Sequence, residues 1–458
     1  MPDKLIEMLF PRQAFASAHA GASVVVDDQV LAFGLEVLRD AARKFSRDEP
    51  VAYAVPLDGS RVRRALRLAT LPLRVSRARR TLAKAGAATV YGIDPLLEAP
   101  ACVYQLNSAA SQYADRCLRP RGSAVRLRHA AARWVGCDPA LGGLVIGPGS
   151  MMDQVPAIVD RLLPGLLRSG RPSVACVCTT RPKYLVFDDN ARRPACVVEF
   201  GDEARLAQAH VILSALHARA PFAVPASLCC AAWRGGLHVH IQAGLPGKPW
   251  FRLADDIRSA EAWRLLLARA TGAMIALHQA TRTIDGWTQT VDLAAELGKQ
   301  AARCERSGTP LISAARRRLD EWRRVAAAAG PLPACRQHGD FSLNNLLVSP
   351  ESLAIVDFEE FGETLVPLHD AFGLALSVPL SQEERCPLSI SDCIASCLDR
   401  ACADEGVSRH LAGPLLMHHL LWRINRAMGI DRRAALRRVL LRWMDQLATA
   451  SDYFFRVP

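Results

Sequence analysis

No uninterrupted apolar run in this chain approaches the eighteen or so residues that a bilayer-crossing helix needs. A helical membrane span is therefore not expected. The first residues, Met1-Pro-Asp-Lys-Leu-Ile-Glu7, are broken by acids and lead into no long apolar region, so no signal peptide is expected either. Both absences point to a cytoplasmic protein. The pattern C-x-x-C is missing as well, although the chain holds 14 cysteines. The closest pairs, Cys176/Cys178 and Cys229/Cys230, do not recur at the spacing that zinc sites require. Reduced cysteines acting as small, mostly buried apolar residues are the expectation.

What is present is enough for real cores: half of the 458 residues are apolar, and the length suits two or three domains. The net charge is +12, and much of it sits between Arg61 and Lys84, where nine Arg or Lys occur without an acid. Arg61, Arg63, Arg64 and Arg67 share parts of one helical surface, as do Arg74, Arg77 and Arg80. A solvated helix face explains such a stretch. Neither interleaved aromatics nor a recognisable module supports a nucleic-acid partner.

The chemistry-bearing stretch is Arg336-Gln-His338-Gly-Asp340-Phe-Ser-Leu-Asn344-Asn345-Leu-Leu-Val348. Asp340 and Asn345 stand five apart, the spacing of the H-R-D-x-x-x-x-N loop of phosphoryl-transfer enzymes. There the Asp takes the proton of the attacking hydroxyl and the Asn holds magnesium against the phosphates. Both groups must face one small volume, which a short fixed spacing ensures. Downstream, Leu353-Ala-Ile-Val-Asp357-Phe-Glu359 reads as an apolar strand delivering a carboxylate at its end. Asp357 thus stands where D-F-G places its metal-binding Asp in protein kinases.

Together these motifs resemble the aminoglycoside phosphotransferase and choline kinase branch of the protein-kinase-like fold, over about residues 174–458. The resemblance implies an α+β two-lobed fold, with a β-rich small lobe at 171–248 and a mostly helical large lobe at 249–458. It implies ATP and Mg2+ as cofactors, Asp340 as base, His338 as an orienting residue, and Asn345 and Asp357 as metal ligands. Ser342 and Asn344 would line the site, and Glu359 would orient neighbouring groups. The partners implied are a nucleotide and a small hydroxylated substrate. Residues from about 170 onward are expected to have their own core.

Residues 1–170 carry no kinase signature. Strands are expected at Ala22–Asp27, Val51–Val55 and Ala88–Tyr91, and helices at Val30–Phe45 and Val75–Ala85, which together suggest an α/β domain of unknown role. Arg79–Pro95 resembles the late helix and strand of small-molecule methyltransferases. With no glycine-rich turn to hold S-adenosylmethionine, this implies at most a degenerate, non-catalytic relative. Gly142-Gly143, Gly147-Pro-Gly149 and Pro164-Gly165 read as turns approaching a boundary, with a helix over Met151–Leu163.

Farther on, strands are expected at Val174–Cys178, Lys183–Phe187, Ala195–Phe200 and Gly236–Ile241, and a helix at Glu203–Leu216. Ala243-Gly-Leu-Pro-Gly247 resembles the family's L-P-G before the hinge. Helices follow at Ala262–Gln279, Val291–Cys304 and Ile312–Ala329, and from Ser391, Gly413 and Arg432. His278 resembles the end of the family's L-x-x-L-H helix, and Asp370 its P-x-x-D. Both read as structural, Asp370 as an N-cap or structural acid. His418-His419, with no third ligand at metal spacing, reads as a packing or hydrogen-bonding pair.

The chain departs from the family at the phosphate clamp. Aligned with the family's A-x-V-V-K, Ala195-Cys-Val-Val-Glu199 puts Glu199 where a strand lysine belongs, and Ala209 falls where its helix partner Glu would be. No lysine lies between Lys183 and Lys248. Lys183 or Arg205 is then the candidate to bind the nucleotide phosphates. The covering loop Thr179-Thr-Arg-Pro182 has no glycine. Three readings follow: an ATP/Mg-dependent phosphotransferase acting on a sugar, amino sugar or amino alcohol; a pseudokinase serving as a binding or scaffold protein; or transfer of a group other than the γ-phosphoryl.

Overall fold

The computed structural model describes residues 23–26, 51–55, 89–94, 102–105, 108–118, 143–146 and most of 151–455. The chain divides into two compact units, Met1–Ser214 with Pro225–Lys248, and Ala215–Val224 with Pro249–Pro458. The expected helices over Val30–Phe45 and Val75–Ala85, the basic stretch Arg61–Lys84 and residues 179–181 of the covering loop lie outside the described residues.

The first unit is built on one ten-stranded sheet. Its strands are β1 (Ser23–Val26), β2 (Val51–Val55), β3 (Thr89–Asp94), β4 (Cys102–Gln105), β5 (Gly143–Ile146), β6 (Ser173–Cys178), β7 (Pro182–Phe187), β8 (Cys196–Gly201), β9 (Ser227–Ala232) and β10 (His238–Ala243). The order is β1-β2-β5-β3-β4-β6-β7-β8-β10-β9. The β1–β2 pair is parallel and the remaining pairs are antiparallel.

This sheet runs through the boundary expected near residue 170. In the β4–β6 pair, Cys102, Val103 and Tyr104 lie opposite Val177, Cys176 and Ala175. Side chains alternate across a strand, and β6 shows it. Val174 and Cys176 join a core with Met152, Val155 and Val159 of α2 (Met151–Leu162), and with Val186, Val198 and Val239. Ala175, on the other face, packs with Tyr104, Phe187 and residues of α1 (Ala109–Tyr113). The segment before 170 thus supplies both an adjacent strand and a covering helix to the kinase-like strands. Three strands were not expected from the sequence: β4, β9 and β5. The last is a four-residue apolar run beginning at Gly143, where flanking glycines read as turns.

A helix, α3 (Glu203–Arg219), follows β8. The second unit holds α4 (Ala260–Asp285), α5 (Leu293–Arg306), α6 (Ser313–Ala329), the hairpin β11 (Leu346–Val348) and β12 (Leu353–Ile355), α7 (His369–Gln382), α8 (Ile390–Glu405), α9 (Ala412–Ala427) and α10 (Ala434–Thr449). A β-sheet unit followed by a helical unit is the two-lobed arrangement expected for a protein-kinase-like fold. The helical core is apolar and close-packed: Trp263, Leu267, Met274, Phe372, Leu376, Leu416, Leu420 and Leu447 are each at most 1% exposed. Burying such side chains stabilises the unit by about 1.5–3 kcal/mol each.

The described cysteines are free thiols, nine of them buried and only Cys229, Cys230 and Cys386 less so. Among the described residues, no helix is long and apolar enough to cross a membrane.

Candidate active site

In the helical unit, the loop Arg336–Asn345 is held from beneath by one buried acid. The carboxylate of Asp370, fully buried in the first turn of α7, accepts from the backbone N–H of His338 at 2.5 Å and of Gly339 at 3.0 Å. It is therefore a structural acid. It does not cap its own helix, which begins one residue earlier at His369. Gln337 Oε1 accepts from the Asp370 N–H at 2.9 Å, closing the exchange.

His278 of α4 donates to Asp370 through Nε2 at 2.9 Å, and its Nδ1 lies 3.3 Å from Glu405 of α8. Burial alone would strip its proton. Cys335, Asp370 and Glu405 outweigh that and raise its pKa well above the usual value. His278 is thus the structural residue expected, a buried cation balancing two buried acids. Gly339 has φ +86°, and a Cβ there would meet the Glu360 carbonyl oxygen at 2.5 Å, so the turn admits only glycine.

The loop delivers Asp340 and Asn345 to one place. Asn345 Nδ2 donates to the Asp340 carbonyl at 2.8 Å and to Asp340 Oδ2 at 3.0 Å. An ionised carboxylate only accepts, so the amide must turn its NH2 to Asp340 and its Oδ1 away. The β11–β12 register pairs Leu346 with Ile355, and the ladder extends by Val356 N–H donating to Asn345 O at 2.9 Å. Asp357 follows directly, at φ +71°, a left-handed conformation that costs a non-glycine residue energy and clusters at functional sites. The hairpin therefore sets the backbone of Asp357 beside that of Asn345. Two oxygen-bearing side chains on one hairpin end fit Mg2+, a hard cation that takes few protein oxygens and keeps water.

His338 is fully buried, its ring donating through Nε2 to the Val356 carbonyl at 3.2 Å and lying 4.8 Å from the Phe358 ring. It ties the loop to the strand end that carries Asp357. Ser342 is buried, Asn344 exposed and Glu359 half-buried.

One neighbour had no signal in the sequence. Arg423 of α9 donates from Nη1 to Asp340 Oδ1 at 2.6 Å. One turn on, Arg426 pairs with Glu360 and Glu363, each at 2.9 Å. Burial works against the Arg423 cation, but Asp340 and Glu360 outweigh it and raise its pKa. His418 and His419 are buried, with their rings against that of His369. Burial pushes His418 down to about 3 and His419 well below the usual value.

The sheet unit holds the second group of expected residues. Glu199 is not a bare anion: Arg205, in the first turn of α3, donates from Nη1 to Glu199 Oε1 at 2.5 Å. The strand thus carries the anion and the helix the cation of this pair, with Arg205 one turn before Ala209. Across the sheet, Lys183 and His240 stand directly opposite Glu199, so all three project from one face. His240 Nε2 shares a 2.6 Å hydrogen bond with Ser227, which bonds His210 Nδ1 at 2.7 Å. Burial, then His210 and Arg205, lower the His240 pKa to about 4. Arg205 Nε and Nη2 are buried without a hydrogen-bond partner, and Asp202 lies 3.6 Å from Nε.

A sheet unit, a helical unit and a loop-and-hairpin site are the features expected of the protein-kinase-like fold. Residues 180–385 match the model of the phosphotransferase enzyme family, so the segment holding the loop and Asp357 carries that family's pattern. Comparison with curated proteins gives no match. Among solved structures, choline kinase from Cryptosporidium parvum is 10% identical, with a TM-score of 0.44, over 64% of this chain and 94% of that one. A choline/ethanolamine kinase family protein from Mesorhizobium loti is 17% identical, with a TM-score of 0.44, over 66% and 97%. A glucosamine kinase, solved with glucosamine, ADP and inorganic phosphate, is 18% identical, with a TM-score of 0.40, over 59% and 74%.

Proposed function

We propose that this protein transfers the γ-phosphoryl group of ATP, with magnesium, to a hydroxyl of a small molecule such as a sugar, amino sugar or amino alcohol. The observation that carries the reading is the Asp340–Asn345 pair, with Asp357 following directly on Val356, whose N–H bonds the Asn345 carbonyl. Asp340 accepts the proton of the acceptor hydroxyl as its oxygen bonds to phosphorus and the bond to the ADP oxygen breaks. Asn345 Oδ1 and Asp357 would hold the magnesium, which when bound would neutralise phosphate charge. His338 orients the Asp357 end of the hairpin. Lys183 and Arg205 are the proposed cationic contacts to nucleotide phosphate.

The scaffold alternative rests on Glu199 standing where the strand lysine belongs and Ala209 where its partner Glu would be. The ion pair with Arg205 speaks against it, because it keeps a cation beside Glu199. The test is ATP titration by calorimetry with and without Mg2+, then ATP consumption across a panel of sugars and amino alcohols. Binding should require magnesium. Asp340→Asn should cut acceptor-dependent turnover by about 10²–10⁴, the usual worth of a positioned base. Acceptor-dependent consumption that survives Asp340→Asn would overturn the assignment of the base, and metal-independent binding that of the metal ligands.

A further inference from the structure

Arg423 is an expensive residue to place where it stands. It lies on the core-facing part of α9, between buried Trp422 and Ile424, and only 23% of its side chain is exposed. A guanidinium so placed must find an acid, because removing it from water costs more than packing returns. Its acid is Asp340, 83 residues away in the chain, at 2.6 Å. A purely structural helix anchor had no need of the one carboxylate that the transfer step uses.

We propose that Arg423 is a positioning residue for phosphoryl transfer, holding Asp340 and, through it, the amide of Asn345. The inference rests on the function proposed above. Asp340 Oδ1 is fixed by Arg423 and Oδ2 by Asn345, so the carboxylate has one orientation and its remaining lone pairs one direction. Because that carboxylate only accepts, it dictates that Asn345 presents Nδ2 inward and Oδ1 outward. Arg423 thus sets the base and the metal-facing oxygen together, acting through Asp340. Arg426, pairing with Glu360 and Glu363, steadies the segment just after Asp357 in the same way.

The experiment uses the full chain with Arg423→Gln, Arg423→Lys, Asp340→Asn and the double variant Arg423→Gln/Asp340→Asn. Arg423→Gln should lower kcat by at least about thirtyfold while the KM values for ATP and acceptor move less than about threefold, the split expected of a group acting only on the transition state. Arg423→Lys should recover part of kcat. The double variant should be no slower than Asp340→Asn alone, since the two residues act as one unit. A kcat for Arg423→Gln within threefold of wild type, or losses that add in the double variant, would overturn the proposal. If no acceptor supports turnover by wild type, the proposed function is overturned and the positioning role with it, and melting midpoints then report only whether Arg423 and Asp340 are coupled. A double variant melting no lower than the weaker single variant supports the coupling, and additive losses overturn it.

Discussion

Reversing the Glu199–Arg205 pair separates two meanings of a missing strand lysine. Glu199→Lys on its own looks like a repair toward the familiar kinase pattern. Here it would instead set a lysine against Arg205 and opposite Lys183, with His240 on its other flank. Removing one partner of a buried ion pair costs about 3–5 kcal/mol, because the remaining charge is left uncompensated. The Glu199 side chain is 7% exposed and that of Arg205 21%, so water screens part of the charge and the low end, about 3 kcal/mol, applies. Arg205→Glu should cost a similar amount, leaving Glu199 beside a second acid with Asp202 nearby.

The double variant Glu199→Lys/Arg205→Glu restores opposite signs. It should recover at least about 2 kcal/mol of the summed losses, a coupling within the range found for residues in contact. Urea unfolding of the four proteins, followed by tryptophan fluorescence, gives the cycle. ATP titration of each reports whether either order of charges holds phosphate. Strictly additive stability losses would refute the reasoning, since the pair would then contribute nothing beyond its separate residues.

Acid should weaken the fold before the carboxylates titrate. Burial lowers His240 to about 4 and His418 to about 3, and holds His369 and His419 well below the usual value. The unfolded chain therefore binds more protons below about pH 6.5, and stability falls as pH drops from there, by up to about 1.4 kcal/mol per unit for each such histidine. His278 has the opposite sign: its pKa is raised, so its contribution is complete below about pH 6.5 and is lost as pH climbs through its folded value. Urea midpoints at pH 7.0, 6.0 and 5.2 should decline, and a flat series would count against four neutral buried rings. Truncation to 171–458 should abolish cooperative unfolding, because it strips β4 from β6 and α2 from the core it shares with Val174, Val186 and Val198. A truncated chain melting as sharply as the full one would restore a domain boundary at 170.

What could be read from the sequence was what lies close in it. Asp340 and Asn345 share one loop, and Asp357 lies just past a hairpin strand twelve residues later, so spacing alone was enough to mark these positions. The strands β6, β7 and β8 and the helices α3 and α6 were likewise visible as local patterns. Arg423 was not, because its partner is reached only when α9 packs against the loop Arg336–Asn345, and nothing in Leu-Trp-Arg-Ile-Asn-Arg marks one arginine over the next. The sheet's continuity was hidden for the same reason: Val103 and Cys176 meet across 73 residues.

The Glu199 position shows where motif reading and physics part. A motif scores the residue type at one aligned place, and there the lysine is missing. A phosphate responds to the charge in a volume, and that volume holds a carboxylate and a guanidinium in contact. A strand lysine with a helix glutamate sums to the same net charge as a strand glutamate with a helix arginine. What differs is where the cation sits and which donors it leaves over. Arg205 spends Nη1 on Glu199 and keeps Nε and Nη2 without hydrogen-bond partners, whereas an ammonium has only three donors on one atom. The loss of a lysine from the strand is therefore not the loss of a cation from this face of the sheet.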